Sequence, residues 1–254
     1  MTTDGLGSVR RALDILRVLG DRPLRVQAVA AAIGREKSQV SRSLKLLADA
    51  GFVERDPETQ EYRLGWQLFA LARSAGDQRL VGDAPGVLRR LVLDVGEPAY
   101  LSVLQGAAAL TVLTEHPARS RSLQARDWVG RSAPLTCTAA GRTLLLGLPD
   151  AEVAALAGTY GDPLPGTGRS PRDTAEVLRR LRAERAQGYV TVVEEYEPGL
   201  VAVAAPVRDL TGQVTASVNV SAPVFRMSPD GLGPVVTAVR AAADRLSATL
   251  GHRP

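Results

Sequence analysis

The stretch EKSQVSRSLKLLADAGFVERD, residues 36–56, restricts its own fold tightly. Val40, Leu44 and Leu47 fall at i, i+4 and i+7, the spacing of one buried helix face. The pattern predicts a helix from Glu36 to Ala50, closed by Gly51, a residue type suited to the left-handed position past a helix end. Ser38, Arg42 and Lys45 then share the opposite face, with Gln39 and Ser41 beside them. The chain uses arginine almost everywhere, yet its only two lysines, Lys37 and Lys45, both stand in this helix. One side demands a core. The other is cationic and rich in hydrogen-bond donors, which is what a helix lying in a DNA groove requires.

The neighbouring segments supply the core. Ser8 to Leu19 reads as an amphipathic helix with Val9, Ala12, Leu13, Leu16 and Leu19 on its apolar side and Ser8 as N-cap. Asp21-Arg22-Pro23 breaks it, and a short helix over Val26–Ala32 runs into Gly34. Small residues in that second helix permit close packing against the third, the geometry of a helix-turn-helix. Phe52–Arg55 and Glu61–Leu64 predict two short strands around the polar turn Asp56–Gln60, a β-wing ended by Gly65. The first domain is therefore expected to span residues 1–65. Trp66 to about Arg79 reads as a linker helix, and Gly82-Asp83-Ala84-Pro85 as a boundary, which makes residues 66–82 the linker.

Residues 83–254 have a different rhythm. A helix is expected over Ala84–Leu93, then β-rich runs at Ala99–Gln105 and Ala108–His116 meeting at Gly106. An irregular segment around Ser122–Arg131 precedes helices near Thr138–Leu146, Glu152–Ala157 and Pro171–Gln187. Strands follow at Tyr189–Val193, Val201–Val207 and Val214–Val220, and a last helix at about Asp230–Leu250. Consecutive strands joined by tight turns, with helices grouped around them, indicate an antiparallel sheet and an α+β class.

Charge distribution supports the groove reading. Nine Lys or Arg against three acids give residues 8–47 a net +6, whereas the whole chain carries only +4. A basic patch on a near-neutral body is the footprint of phosphate binding. Composition is that of a globular protein, with 45% apolar and 23% charged residues. No run approaches the ~18 apolar residues of a membrane span. The N-terminus lacks the basic-then-apolar order of a secretory signal, so no membrane association and a cytoplasmic location are expected. A single cysteine allows no internal disulfide, and His116 and His252 are too few for a zinc site built by the protein.

Catalysis has little to stand on. The chain has no GxSxG elbow, Walker loop or GxGxxG after a strand, so neither an enzyme nor a cofactor is expected. Cys137 is the one candidate nucleophile, with His116 as its possible base, but a lone cysteine is more often buried filler. Glu194, Glu195 and Glu197 could form an acid/base set. Pro198-Gly199 turns the chain at once, which favours a solvated loop there instead.

Several segments match a known family in order and spacing. SVRRALDILRVLG, QAVAAAIGREKSQVSRSLKLLADAGFVERD and YRLGWQLFALA are similar to an opening helix, a recognition unit and a wing running into a linker helix. PLTCTAAGRTLLLG, GYVTVVEEYEPGLVAVAAPVRD and GQVTASVNVSAP are similar to the signatures of an effector domain. Over nearly its whole length the chain resembles IclR-type bacterial transcriptional regulators. The resemblance implies a winged helix-turn-helix, a linker helix and a GAF-like C-terminal domain that binds a small-molecule effector. It also implies a homodimer or dimer of dimers on palindromic operator DNA; a repressor is expected, with an activator left as the alternative sign of regulation. A DNA-binding module fused to an enzyme, or to a dimerisation domain without a ligand, are the alternative readings of the C-terminal half.

Site expectations follow residue by residue. Ser38, Gln39, Arg42 and Lys45 form the outward stripe for base edges, with Arg42 suited to guanine through its planar fork. Arg10, Arg11, Arg35 and Lys37 on the approaches, and Arg55 and Arg63 on the wing, are expected to meet phosphates. In the second domain Thr138 can cap a helix whose Ala139 and Ala140 amides face the effector site that the resemblance implies, and Ser221 matches a hydroxyl of that site. Val192 stands where the family commonly has an acid, Ala202 where it has cysteine, and Asn219 where it has serine. Two polar groups become apolar, and Asn219 adds an amide. A larger, partly apolar or aromatic carboxylate is therefore expected in preference to a two- or three-carbon acid.

Overall fold

The computed structural model describes residues 3–72, 77–118 and 128–252, and divides into two compact units, Met1–Gln78 and Arg79–Pro254. Most of the irregular segment expected around Ser122–Arg131 lies outside the described residues.

The first unit runs α1 (Thr3–Asp21), β1 (Leu24–Arg25), α2 (Val26–Ile33), α3 (Lys37–Asp49), β2 (Val53–Arg55), β3 (Glu61–Leu64) and α4 (Trp66–Ala72). Ile15 and Leu19 of α1, Val29 of α2, Val40 and Leu44 of α3, Val53 and Tyr62 close one core. The three helices therefore present their apolar faces as the periodicity requires. Two details differ from expectation. Ser8 lies inside α1 instead of capping it, because the helix continues back through Gly5 and Gly7 to Thr3; helical glycine costs only about 1 kcal/mol each. Leu24–Arg25, too short for any alternation to register, adds a third strand, so the wing sheet has the order β1-β3-β2.

The wing is pinned to α3 by two glycines. Gly51 sits at φ +75° past the helix end, and a Cβ on Gly65 would come within 2.3 Å of the Gly51 carbonyl oxygen. Only glycine lets the strand exit pass that close to the helix cap. At the wing tip the Asp56 carboxylate accepts from the Glu58 and Thr59 amides at 2.9 and 2.8 Å.

The second unit begins with α5 (Gln78–Val95), which runs through Gly82 and Pro85 without a break. The boundary read from Gly82–Pro85, and a helix starting only at Ala84, are thus corrected. Leu80, Ala84, Leu88, Leu91 and Val92 form one buried stripe along α5, and their burial outweighs the ~3 kcal/mol that an interior proline costs. The chain continues through β4 (Ala99–Gln105), β5 (Ala108–Glu115), β6 (Ser132–Pro134), α6 (Ala139–Leu145), α7 (Asp150–Gly158), α8 (Thr174–Gln187), β7 (Val190–Val193), β8 (Leu200–Arg208), β9 (Val214–Pro223) and α9 (Gly233–Thr249).

Its sheet is six-stranded and antiparallel, ordered β6-β5-β4-β9-β8-β7. Strand alternation assigns the two faces. Val201, Val203, Ala205 and Val207 of β8 join Val218 and Val220 of β9 in a core with α5 and α9. Ala202 and Ala204 face the other way, into a second core with α6, α7 and α8. An antiparallel α+β domain is the result, as the strand spacing implied. Among the described residues no helix is long and apolar enough to cross a membrane.

Candidate nucleic-acid interface and ligand cavity

On α3, Ser38, Ser41, Arg42 and Lys45 are exposed while Val40 and Leu44 are fully buried, so the stripe read from the sequence is the open face of the helix. Among the described residues Arg42 reaches only its own helix, with Nε donating to the Ser38 carbonyl at 3.4 Å. A cavity of about 410 Å3 separates α3 from the wing and is lined by Ser41, Arg42, Lys45, Ala48, Arg55 and Tyr62. Arg55 stands 5.6 Å over the Tyr62 ring, a cation–π contact that aims it toward the same space. Arg10, Arg35 and Lys37 are exposed as well, and none of these six cations meets a carboxylate among the described residues.

Three of the expected contacts are engaged within the unit. The Arg11 guanidinium donates to Ser43 Oγ at 3.0 Å and to Gln39 Oε1 at 3.2 Å, lashing α1 to α3. Gln39 is accordingly half-buried. Arg63 donates twice to Glu54 Oε2, at 3.1 and 2.8 Å, across the wing.

In the second unit a cavity of about 1310 Å3 opens over the sheet face that carries Ala202. Ala139, Ala140, Val192, Ala202, Asn219 and Ser221 all line it. The sheet divides its floor. Thr111 of β5, Ser102 and Tyr100 of β4, and Asn219 and Ser221 of β9 make one half polar; Ala202 of β8 and Val192 of β7 make the other apolar. Ser102 and Thr111 hydroxyls lie 3.4 Å apart, and Asn219 Nδ2 donates to Ser221 Oγ at 3.3 Å. Burial and the nearby Glu97 charge push the Tyr100 hydroxyl up to about 12, so it is a neutral donor at physiological pH.

Helix α6 enters this wall through tight local chemistry. Thr138 Oγ1 accepts the Gly141 amide at 3.0 Å and donates to the Pro134 carbonyl at 2.6 Å. A Cβ on Gly141 would lie 2.5 Å from Leu135 Cα, which reserves that position for glycine. The first intrahelical bond belongs to the Arg142 amide, so the Ala139 and Ala140 amides precede it, as at any helix start.

Behind the cavity lies a charge cluster that the sequence did not reveal. Arg142 is only 1% exposed; it pairs with Glu184 at 2.9 Å and with both carboxylate oxygens of Glu195, and donates to the Thr191 carbonyl at 3.2 Å. Arg180 also reaches Glu195, at 3.0 Å. The solvated loop expected at Glu194–Glu197 is corrected at one position: Glu195 is buried because its cationic partners supply what water would, while Glu197 is exposed as expected. Its neighbours Tyr196 and Glu197 are carried to the cavity mouth. Cys137 is fully buried, with its thiol pushed up to about 11 by burial and by Glu195, so it is protonated and unreactive.

The folded chain thus contains a winged helix-turn-helix with an open cationic stripe and an α+β domain with a large cavity. The IclR helix-turn-helix domain profile matches residues 8–57, and that of the bacterial transcriptional regulator IclR C-terminal region matches 73–248. This chain belongs to the IclR family. It is similar to the glycerol operon regulatory protein of Streptomyces griseus, 34% identical with 96% of each chain covered. The KdgR transcriptional regulator of Escherichia coli is 30% identical, over 98% of this chain and 94% of that one. An IclR regulator structure from Alicyclobacillus acidocaldarius has a TM-score of 0.77 at 25% identity, covering 96% of this chain and 99% of that one. A homologue from Microbacterium hydrocarbonoxydans, solved with 4-hydroxybenzoate, has a TM-score of 0.79 at 23% identity, with 96% and 99% covered. As an IclR-family member, the protein is a DNA-binding transcriptional regulator.

Proposed function

We propose that this regulator is a repressor that binds a palindromic operator as a homodimer, or as a dimer of dimers, and is released by a partly apolar or aromatic carboxylate. The observation that carries the reading is the combination of an uncompensated cationic stripe on α3 with a cavity whose floor is polar on one side and apolar on the other. Arg42 reads a base through its planar fork, with Ser38 and Lys45 beside it. Arg10, Arg35, Lys37 and Arg55 hold phosphates, while Arg11 and Gln39 brace α1 against α3 and Arg63 braces the wing through Glu54. Wing and helix then grip one half-site, and a symmetric second copy doubles the contacts.

The dimer surface is drawn from apolar side chains that the first unit leaves outside its core. Trp66 and Phe69 of α4 are 76% and 64% exposed, and Val9 and Leu13 of α1 are exposed too. In the cavity, Asn219, Ser221 and the amides of Ala139 and Ala140 face the effector's polar end, while Val192 and Ala202 accept its apolar body. The fold-level likeness to the homologue solved with 4-hydroxybenzoate agrees with a ligand of that size. No catalytic step is assigned, because the buried, protonated Cys137 offers no nucleophile. A regulator working on chromosomal DNA acts in the cytoplasm.

One titration tests this reading. Full-length protein is bound to a fluorescent palindrome from the promoter beside its own gene, with the mass of the complex measured by light scattering. Anisotropy should fall at lower concentrations of 4-hydroxybenzoate or benzoate than of glyoxylate or pyruvate, and each palindrome should carry two or four chains. A stronger response to pyruvate, or a single chain per palindrome, counts against it.

A further inference from the structure

The effector cavity has two cationic side chains in its wall, Arg131 and Arg226, and they differ in one respect. Arg226 is neutralised by Glu97, which takes two hydrogen bonds from it at 2.7 and 3.0 Å. Arg131 has no carboxylate partner among the described residues, and Glu197, an acid in the same wall, makes no ion pair with it. A guanidinium is always charged, and its planar fork matches a carboxylate in two hydrogen bonds.

The position of Arg131 is built by the backbone. The Arg131 amide donates to the Trp128 carbonyl at 2.9 Å, closing a turn in which Gly130 takes φ +78°. That turn is stapled to β5: Thr111 donates its amide to the Arg131 carbonyl at 2.9 Å and accepts from the Gly130 amide at 2.8 Å. Trp128 and Arg131 therefore come from one short, fixed segment. Trp128 meets Tyr196 edge-on at 6.4 Å, and both rings line the cavity. Tyr196 is itself held by the pairing of its neighbour Glu195 with Arg142.

We infer that Arg131 is the specificity-determining residue for the effector's acid group, and that Trp128 and Tyr196 in the same cavity wall select an aromatic body for that acid. This deepens the effector reading above and rests on it. An unpaired cation and two rings in the wall of one cavity favour an aromatic carboxylate over both an uncharged aromatic and a short aliphatic acid. The assignment was not accessible from spacing, since Arg131 lies outside every motif and acquires its role only through the Thr111 staple.

Calorimetry with a matched pair of probes separates the two claims. Full-length protein is titrated with 4-hydroxybenzoate and with 4-hydroxybenzamide, which differ only in the charged group. The wild type should prefer the acid by roughly tenfold, the scale of a charge-assisted hydrogen bond at a partly solvated site. Arg131→Gln should bring that ratio close to one while leaving amide affinity unchanged, and Arg131→Lys should retain part of the preference. Unchanged amide binding also shows that each variant is folded with its cavity intact. An undiminished acid preference in Arg131→Gln overturns the Arg131 assignment and leaves the effector reading in place, whereas equal wild-type binding of acid and amide overturns the Arg131 assignment and the carboxylate part of the effector reading with it. Binding of neither probe to the wild type overturns both.

Discussion

In the N-terminal unit Arg10, Arg35, Lys37, Arg42, Lys45 and Arg55 meet no carboxylate, whereas in the C-terminal unit ten arginines are held in ion pairs among the described residues. The same side chain is used in two ways. Where acids are supplied nearby, arginine ties elements together: Arg185 joins α8 to Asp150 at 2.7 Å and to the Leu148 carbonyl at 2.6 Å. Where acids are withheld, the cation is left for an anion from outside the chain. Net charge alone cannot draw this distinction; the pairing pattern can. Arg131 shares with the cations of α3 the lack of a carboxylate partner among the described residues, and it lines the cavity of the other unit.

The comparison can be broken most severely at Arg142. Replacing Arg142 by Ala leaves Glu184 and Glu195 buried without their shared cation, a loss that costs about 3–5 kcal/mol in comparable clusters. Denaturant unfolding of Arg142→Ala should show a loss on that scale, and Lys45→Ala should stay within about 0.5 kcal/mol of the wild type. Equal, small effects from both would mean that the buried cluster does not hold the C-terminal unit together.

Arg42 is the next test, and its signature lies in binding instead of stability. Arg42→Ala should weaken operator binding by ~1–3 kcal/mol and relax preference at one position of each half-site. Competition with operators altered one base at a time reads this directly. Weakening that is uniform over all sequences would make Arg42 a phosphate contact and move the base-reading role to Ser38 or Lys45.

What the sequence disclosed follows the same division. The three helices, the wing and most strands were legible because each is coded within a window of ten to twenty residues: Val40, Leu44 and Leu47 need no distant partner to declare a buried face. The positions lining the cavity were reached through resemblance, and their division into a polar and an apolar half came from Val192, Ala202 and Asn219 themselves. Glu195 and Arg131 were missed for one shared reason. Glu195 meets Arg142 across 53 residues of sequence, and Arg131 is positioned by Thr111 of another strand. Pairings of that separation leave no periodic trace. Helix α5 failed differently: local breakers at Gly82 and Pro85 argued for a boundary, and only the core beneath Leu80 and Ala84 shows why the helix continues.

The smallest expected effect separates cations that share the wing and the helix start. Lys37 is exposed and meets no carboxylate among the described residues, while the Arg63 guanidinium is already committed to Glu54 on the same strand pair. Each phosphate contact releases counterions, so neutralising a true contact lowers the magnitude of the log–log salt slope by about one unit. Operator affinity measured between low and moderate salt should show that change for Lys37→Gln. Arg63→Gln should change the slope by clearly less, since a cation that stays on Glu54 displaces little counterion. In a Glu54→Gln background, where no carboxylate holds Arg63, adding Arg63→Gln should lower the slope further than Arg63→Gln does alone. A full unit lost on Arg63→Gln would show that Arg63 leaves Glu54 for the phosphate backbone when DNA arrives, and pairing in the free protein would no longer identify which cations are reserved for DNA.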